Sequence, residues 1–291
     1  MPVQRNQLDI ESIQDRKPAR RMIEIPELVM QALSEGFVAT MNLVEWLASD
    51  RKRLLASILE RIDLKLDADA QPLWTPELLS QSALKQSFAI GGWLATKIKV
   101  GDDAWRFLST HPSDIVREWS AIVVGLANDL TFARKLAWIK SFADDEHSGL
   151  REIAWLALRA DVIRDPVHAI KCLVPWTGAR NERLRRYASE ITRPRGVWTS
   201  HIQQLKEQPE IGLPILEPLL ADDSKYVKNS VGNWLNDASK SQPEWVQTTI
   251  RRWLTESKSV HTQTIAKRAL RTLTLPRGGS GRVGRSPGRV K

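Results

Sequence analysis

The apolar pattern of this 291-residue chain predicts an all-α protein, one long domain built by stacking helical hairpins. Three observations predict it. Apolar residues recur at three- and four-residue spacing in nearly every stretch, and sustained alternation of the kind that marks a strand is absent. Short turn clusters interrupt that pattern at regular intervals. A seven-residue frame also recurs: Ile115 to Ala121 matches Gly149 to Trp155, Arg183 to Ser189 and Tyr226 to Gly232, with looser copies at Leu84–Phe88 and Ala266–Leu270. Its basic position falls at 85, 117, 151, 185, 228 and 267, with steps of 32, 34, 34, 43 and 39 residues. Steps of that length suit two-helix repeats that bury their apolar faces against their neighbours, a HEAT-like α-solenoid of about six hairpins.

Taken in order, residues 1–21 read as an N-terminal extension, 22–275 as the solenoid, and 276–291 as a disordered basic tail. Leu28, Val29, Ala32 and Leu33 open the helical pattern, and Leu43, Trp46, Leu47, Leu54, Leu55, Ile58 and Leu59 continue it across a turn at Ser49–Asp50. Helix starts are marked by Thr75-Pro76, His111-Pro112-Ser113-Asp114, Ala143-Asp144-Asp145 and Asp222-Asp223-Ser224. The 43-residue step is the irregular one, and it carries Thr192-Arg193-Pro194-Arg195-Gly196-Val197-Trp198, two arginines around a proline with an indole nearby.

Composition narrows the function. The chain is 42% hydrophobic with 26% charged residues and a mean hydropathy of −0.33, which suits a water-soluble globule. No stretch reaches the roughly 20 apolar residues needed to span a bilayer. Met1–Arg21 lacks the pattern of a secretory signal, and a single cysteine, Cys172, excludes a disulfide framework. A reducing, cytoplasmic setting is expected. His111, His147, His168, His201 and His261 are scattered, so neither a metal nor a cofactor is expected. Gly279 to Gly284 and Gly284 to Gly288 match GxGxxG and GxSxG formally, but no strand–turn–helix setting can form in that glycine-rich tail. The net charge is +9, and Arg277, Arg282, Arg285, Arg289 and Lys291 put five of those charges in the tail. Twelve tryptophans against two tyrosines call for burial or stacking. Trp46, Trp74, Trp93, Trp105, Trp138, Trp176, Trp245 and Trp253 read as core or groove-closing residues.

Equivalent positions of stacked repeats share one surface, so Lys85, Arg117, Arg151, Arg185, Lys228 and Lys267 form a basic ladder. The residues alone leave two readings open for each rung: a phosphate contact, or pairing with an acid of an adjacent turn. The following position reads Gln86, Glu118, Glu152, Arg186, Asn229 and Arg268, with Trp119 and Trp155 beside its two acids. Carboxylates in a cationic groove oppose plain DNA binding. They would serve cleavage of an N-glycosidic bond, which develops positive charge on the sugar. A base already cationic through alkylation leaves without a general acid.

Two stretches carry a family resemblance: Leu184 to Trp198, and Tyr226 to Lys240 continuing through Gln242-Pro243-Glu244-Trp245. With their flanking repeats they resemble the bacterial alkylpurine DNA glycosylases of the AlkC/AlkD superfamily, most nearly the AlkC branch. The resemblance implies a C-shaped solenoid holding duplex DNA on a concave basic face. It implies excision of 3-methyladenine and related cationic bases, with contacts to the deoxyribose and without metal or cofactor. It implies a monomer working in a bacterial cytoplasm, associated with the nucleoid. By repeat position Glu152 is the expected catalytic carboxylate and Glu118 its partner. Arg186, Arg193, Arg195, Lys228 and Arg151 are the expected backbone contacts, and Trp155, Trp234 and Trp119 the expected aromatic contacts. Some AlkC-like proteins add an immunoglobulin-like domain after the solenoid, for which the short tail would leave no room. Two alternatives stand beside this reading: a superfamily member that binds unusual DNA without chemistry, and a scaffold that binds an acidic protein.

Overall fold

A computed structural model describes residues 13–65, 73, 75–196 and 198–274. Trp74 and the basic tail lie outside the described residues. The chain runs through α1 (Glu27–Ser34), α2 (Leu43–Ala48), α3 (Arg51–Arg61), α4 (Pro76–Leu79), α5 (Ala83–Leu94), α6 (Asp103–Ser109), α7 (Asp114–Leu126), α8 (Phe132–Ala143) and α9 (Ser148–Arg164). It continues through α10 (Pro166–Thr177), α11 (Glu182–Ile191), α12 (Gln203–Glu207), α13 (Leu213–Leu216), α14 (Lys225–Ser239), α15 (Pro243–Glu256), α16 (Val260–Ala269) and α17 (Arg271–Thr274). The expected all-α solenoid is what the structure shows. Local chemistry sets the helix starts. Asn42, Asp50, Thr75, Ser82, Asp102, Thr131, Asp165, Asn181, Ser224 and Ser259 each accept a backbone N–H of the first turn.

The helices form two layers. In the inner layer α5, α7, α9, α11, α14 and α16 each pack on the next, and α6, α8, α10 and α15 flank them. Two glycines permit the close inner packing: a Cβ on Gly91 of α5 would stand 2.5 Å from the Ile122 side chain, and one on Gly125 of α7 would stand 2.2 Å from the Ala157 carbonyl oxygen. Trp93, Trp105 and Trp253 are buried in this core, and Trp46, Trp138, Trp176 and Trp245 pack half-buried against it. The irregular 43-residue step is where the flanking layer breaks up. Pro209, Pro214 and Pro218 divide it into short turns around α12 and α13.

The segment expected to be an extension is tied down over its described part. Ile13 joins a small second core with Ile25, Val29, Ala32, Leu33 and Val38. Arg16 is paired with the buried Glu45 at 2.5 Å and donates to the Ala39 carbonyl at 2.8 Å.

Candidate functional site

The repeat frame lies at the start of the inner helices, and its basic position is first of all structural. Arg117 donates to the carbonyls of His111 and Pro112 at 2.7 and 2.9 Å. Arg151 does the same to Asp145 and Glu146 at 2.6 and 2.8 Å, and Arg185 to Ala179 and Arg180 at 3.0 and 2.9 Å. Each guanidinium thus closes the loop that enters its own helix, satisfying carbonyls that the preceding turn leaves free. Two of the three also take an acid from the next loop: Arg117 pairs with Asp145 at 3.3 Å, and Arg185 with Asp222 at 2.7 Å. Arg151 meets no such acid. Its Nε donates instead to the Tyr226 hydroxyl at 3.3 Å, and its guanidinium lies 5.4 Å from that ring's centre. The end rungs are out of register: Lys85 is an exposed residue bonded to Gln81, and Lys267 sits one turn further along its helix than the other rungs. Lys228 contacts His261 Nδ1 at 2.9 Å.

The next position separates the two expected carboxylates. Glu152 stands half-exposed on α9, its side chain 42% accessible. Trp155 Nε1 donates to one of its oxygens at 2.8 Å, and Arg186 donates to the other at 2.7 Å. Both partners are donors, as an ionised carboxylate requires, and each oxygen keeps acceptor capacity toward solvent. Arg186 also reaches Glu190 at 3.5 Å and lies 4.7 Å from the Tyr226 ring centre. Burial works against its charge, but Glu190 and Glu152 more than offset that and hold the guanidinium protonated. Burial likewise opposes the charge on Glu190. Arg186, Arg193 and the Ser230 hydroxyl, 2.6 Å away, outweigh it and hold that carboxyl below its ordinary range. Glu152 is therefore one exposed end of a charge chain that runs through the more buried Arg186, Glu190, Arg193 and Asp237 to an equally exposed Lys240.

Glu118, one repeat earlier, has no exposed surface. The α2 segment covers it: Trp46 Nε1 donates to Glu118 Oε1 at 2.7 Å, and Ser87 Oγ lies 3.5 Å from Oε2. The cover is anchored by Thr40, whose N–H and hydroxyl bind the buried Asp114 at 2.8 and 2.7 Å. His147 adds a bond to the Thr40 carbonyl at 2.7 Å. Burial first, then the charge of Asp114, push the Glu118 carboxyl from an ordinary 4.5 to about 8. The expected partnership with Glu152 is corrected on this ground, because Glu118 reaches nothing in the groove unless Trp46 moves.

Other expected contacts are corrected for the same reason. Trp119 and Trp234 are fully buried, with Trp234 Nε1 donating to Thr192 at 3.3 Å. Trp155, 4% exposed, holds Glu152 rather than presenting a face. Arg193 is turned inward onto Glu190 and Asp237 at 2.7 and 2.6 Å. Arg195 gives two of its five donors to the Asp237 carbonyl and Ser241, at 3.2 and 2.6 Å. Sequence reasoning passed over Tyr226 and Glu190, and named Trp46 only as a core or groove-closing residue. Tyr226 had a signal, as one of only two tyrosines and the first residue of the second family-like stretch. Glu190 had one too, in Arg186 four residues before it and Arg193 three after it, whereas the Trp46 partner Glu118 is 72 residues away. Among the described residues no three His, Cys, Asp or Glu side chains converge on a possible metal position, and no helix is long and apolar enough to cross a membrane.

An inner layer of stacked helices, with a donor-held carboxylate among arginines on its surface, defines a helical-repeat protein. Residues 140–273 match the family described as "DNA alkylation repair enzyme". The fold is similar to the Pseudomonas fluorescens alkylpurine DNA glycosylase AlkC, solved bound to DNA containing an abasic site analog. The identity is 26% and the TM-score 0.58, over 74% of this chain and 62% of that one. AlkD2 from Streptococcus mutans is similar in fold, at 21% identity and a TM-score of 0.51 over 76% of this chain and 98% of that one. The Bacillus subtilis (strain 168) protein YhaZ, itself uncharacterized, is 42% identical over 117 residues, 40% of this chain and 32% of the relative's length. The family match covers a little under half of this chain, and the fold is similar to those of AlkC and AlkD2.

Proposed function

We propose that this protein is a DNA glycosylase of the AlkC type that hydrolyses the N-glycosidic bond of cationic alkylated bases, the 3-methyladenine class, in duplex DNA. Glu152 carries the reading: it is a half-exposed carboxylate, fixed by one donor on each oxygen, on the inner layer of a fold shared with AlkC. As the alkylated base departs with its electron pair, positive charge develops at the sugar. A carboxylate already oriented beside it stabilises that charge without reorganising. Water then adds to the sugar, and its proton passes to solvent or to Glu152. Trp155 and Arg186 are positioning residues in this scheme. The Tyr226 ring carries both the Arg186 and the Arg151 guanidinium against it, which fixes the cation that holds the carboxylate. Lys228 would add backbone affinity, and the protein would act as a monomer in the cytoplasm. The reading needs no metal or cofactor.

The burial of Glu118 favours a second reading, a DNA-binding member without chemistry, because it leaves only Glu152 of the expected pair exposed. Single-turnover base release from methylated duplex, with binding measured in parallel, decides between them. Release by the wild type, lost in Glu152→Gln with binding retained, supports the glycosylase. Binding without release supports the second reading, and absence of binding at low salt removes both.

A further inference from the structure

Among the described tryptophans, Trp198 alone belongs to the exposed class, at 71% accessibility. It stands on the connection between α11 and α12, and that connection is anchored at both ends. Buried Arg159 donates to the carbonyls of Ile191, Arg193 and Ser200. The Ile202 N–H closes onto the Pro194 carbonyl at 3.0 Å. Arg193 and Arg195 fasten the near end to Asp237 and Ser241 of the α14 end. The two arginines therefore serve as struts, and the indole is what the loop offers to solvent.

From Ile191 to Lys206 the sequence carries Arg193, Arg195, His201 and Lys206 and no acid. Burial and then Arg195, Lys206 and Arg159 push His201 toward its neutral form, with Asp237 the one acid acting against them. An exposed aromatic face among basic side chains suits a polyanion whose bases can stack. Its place in the fold suits the same occupant. Arg193 follows Arg186 by seven residues, so the loop base lies ~10 Å along the helix direction from the guanidinium that holds Glu152. That is about the rise of three base pairs.

We propose that Trp198 is a DNA-stacking residue, its indole packing on a nucleobase face that is unpaired or unstacked within a few base pairs of the sugar facing Glu152. The inference rests on the DNA reading above. The chemistry it names is an exposed base face, with Arg193, Arg195 and Lys206 as the charges that flank Trp198 in the chain.

The test uses the full chain with Trp198→Ala and Trp198→Phe, read by fluorescence anisotropy of labelled DNA. The probes are a duplex with one abasic position, a single strand of the same sequence and a fully paired duplex. Trp198→Ala should weaken binding to the first two by roughly 10-fold or more and binding to the paired duplex by less. Trp198→Phe should recover most of the loss, and the salt dependence should stay that of the wild type, because no phosphate contact is removed. An unchanged melting temperature confirms that the exposed substitution leaves the fold intact. Equal weakening on all three probes, or binding within twofold of wild type, overturns the stacking role while the DNA reading stands. No binding by the wild type at low salt overturns the DNA reading, and the stacking role with it.

Discussion

Glu118 and Glu152 occupy the same position of the same repeat frame, one hairpin apart, and they end in opposite environments. Over α7 the α2 segment closes, so Trp46, Ser87 and Arg51 surround a carboxylate that burial pushes up to about 8. Over α9 nothing closes, and Glu152 keeps one face in water between Trp155 and Arg186. Repetition supplies equivalent positions, and what packs on top of each position then assigns its chemistry. One glutamate became part of a packed interface, and its copy became the surface carboxylate of the candidate site.

The comparison breaks first on activity. Glu152→Gln should lower single-turnover base release by on the order of 100-fold, about 2.7 kcal/mol of barrier, while Glu118→Gln stays within a few-fold of wild type. A larger loss at Glu118 would show that the α2 cover opens when DNA binds.

Stability against pH sharpens it next. The folded Glu118 holds a proton that the unfolded chain releases above an ordinary 4.5, so its contribution to stability falls as pH rises from 4.5 toward about 8. Glu118→Gln keeps the acceptor for Trp46 and cannot ionise. It should melt close to wild type near pH 5 and gain on it as the pH approaches 8, by on the order of 1–3 kcal/mol. A constant difference across that range would mean that the carboxyl is ionised throughout.

Removing the cover's hydrogen bond should have a somewhat smaller effect. Trp46→Phe takes one donor from a buried carboxyl and should cost about 1–2 kcal/mol in urea unfolding, with the loss growing at higher pH. The ladder gives the smallest effects. Arg185→Lys loses a guanidinium that bonds two carbonyls and Asp222 together, and should cost about 1 kcal/mol. Lys85→Ala, at an exposed rung, should stay within about 0.5 kcal/mol. Equal costs at the two rungs would contradict the difference between them.

Much of the fold was legible in the sequence, because helices and their starts depend on local chemistry. Ser224 caps α14, and Thr75-Pro76 opens α4, as the residues alone predict. The site was legible in part. The frame singled out Glu152 and Arg186, and the structure joins them at 2.7 Å. The inward partners of Arg193 and Arg195 were not legible, because nothing near them in the chain announces Asp237 or Ser241, more than forty residues away.

By itself the sequence determined the period of the repeat and the helical class, both of which follow from patterns within one or two turns of chain. Only the tertiary structure decided which equivalent residues are buried, which arginines are struts, and which indole faces water. Those outcomes depend on desolvation and on partners brought together across repeats, and neither is a property of a residue's place in the sequence.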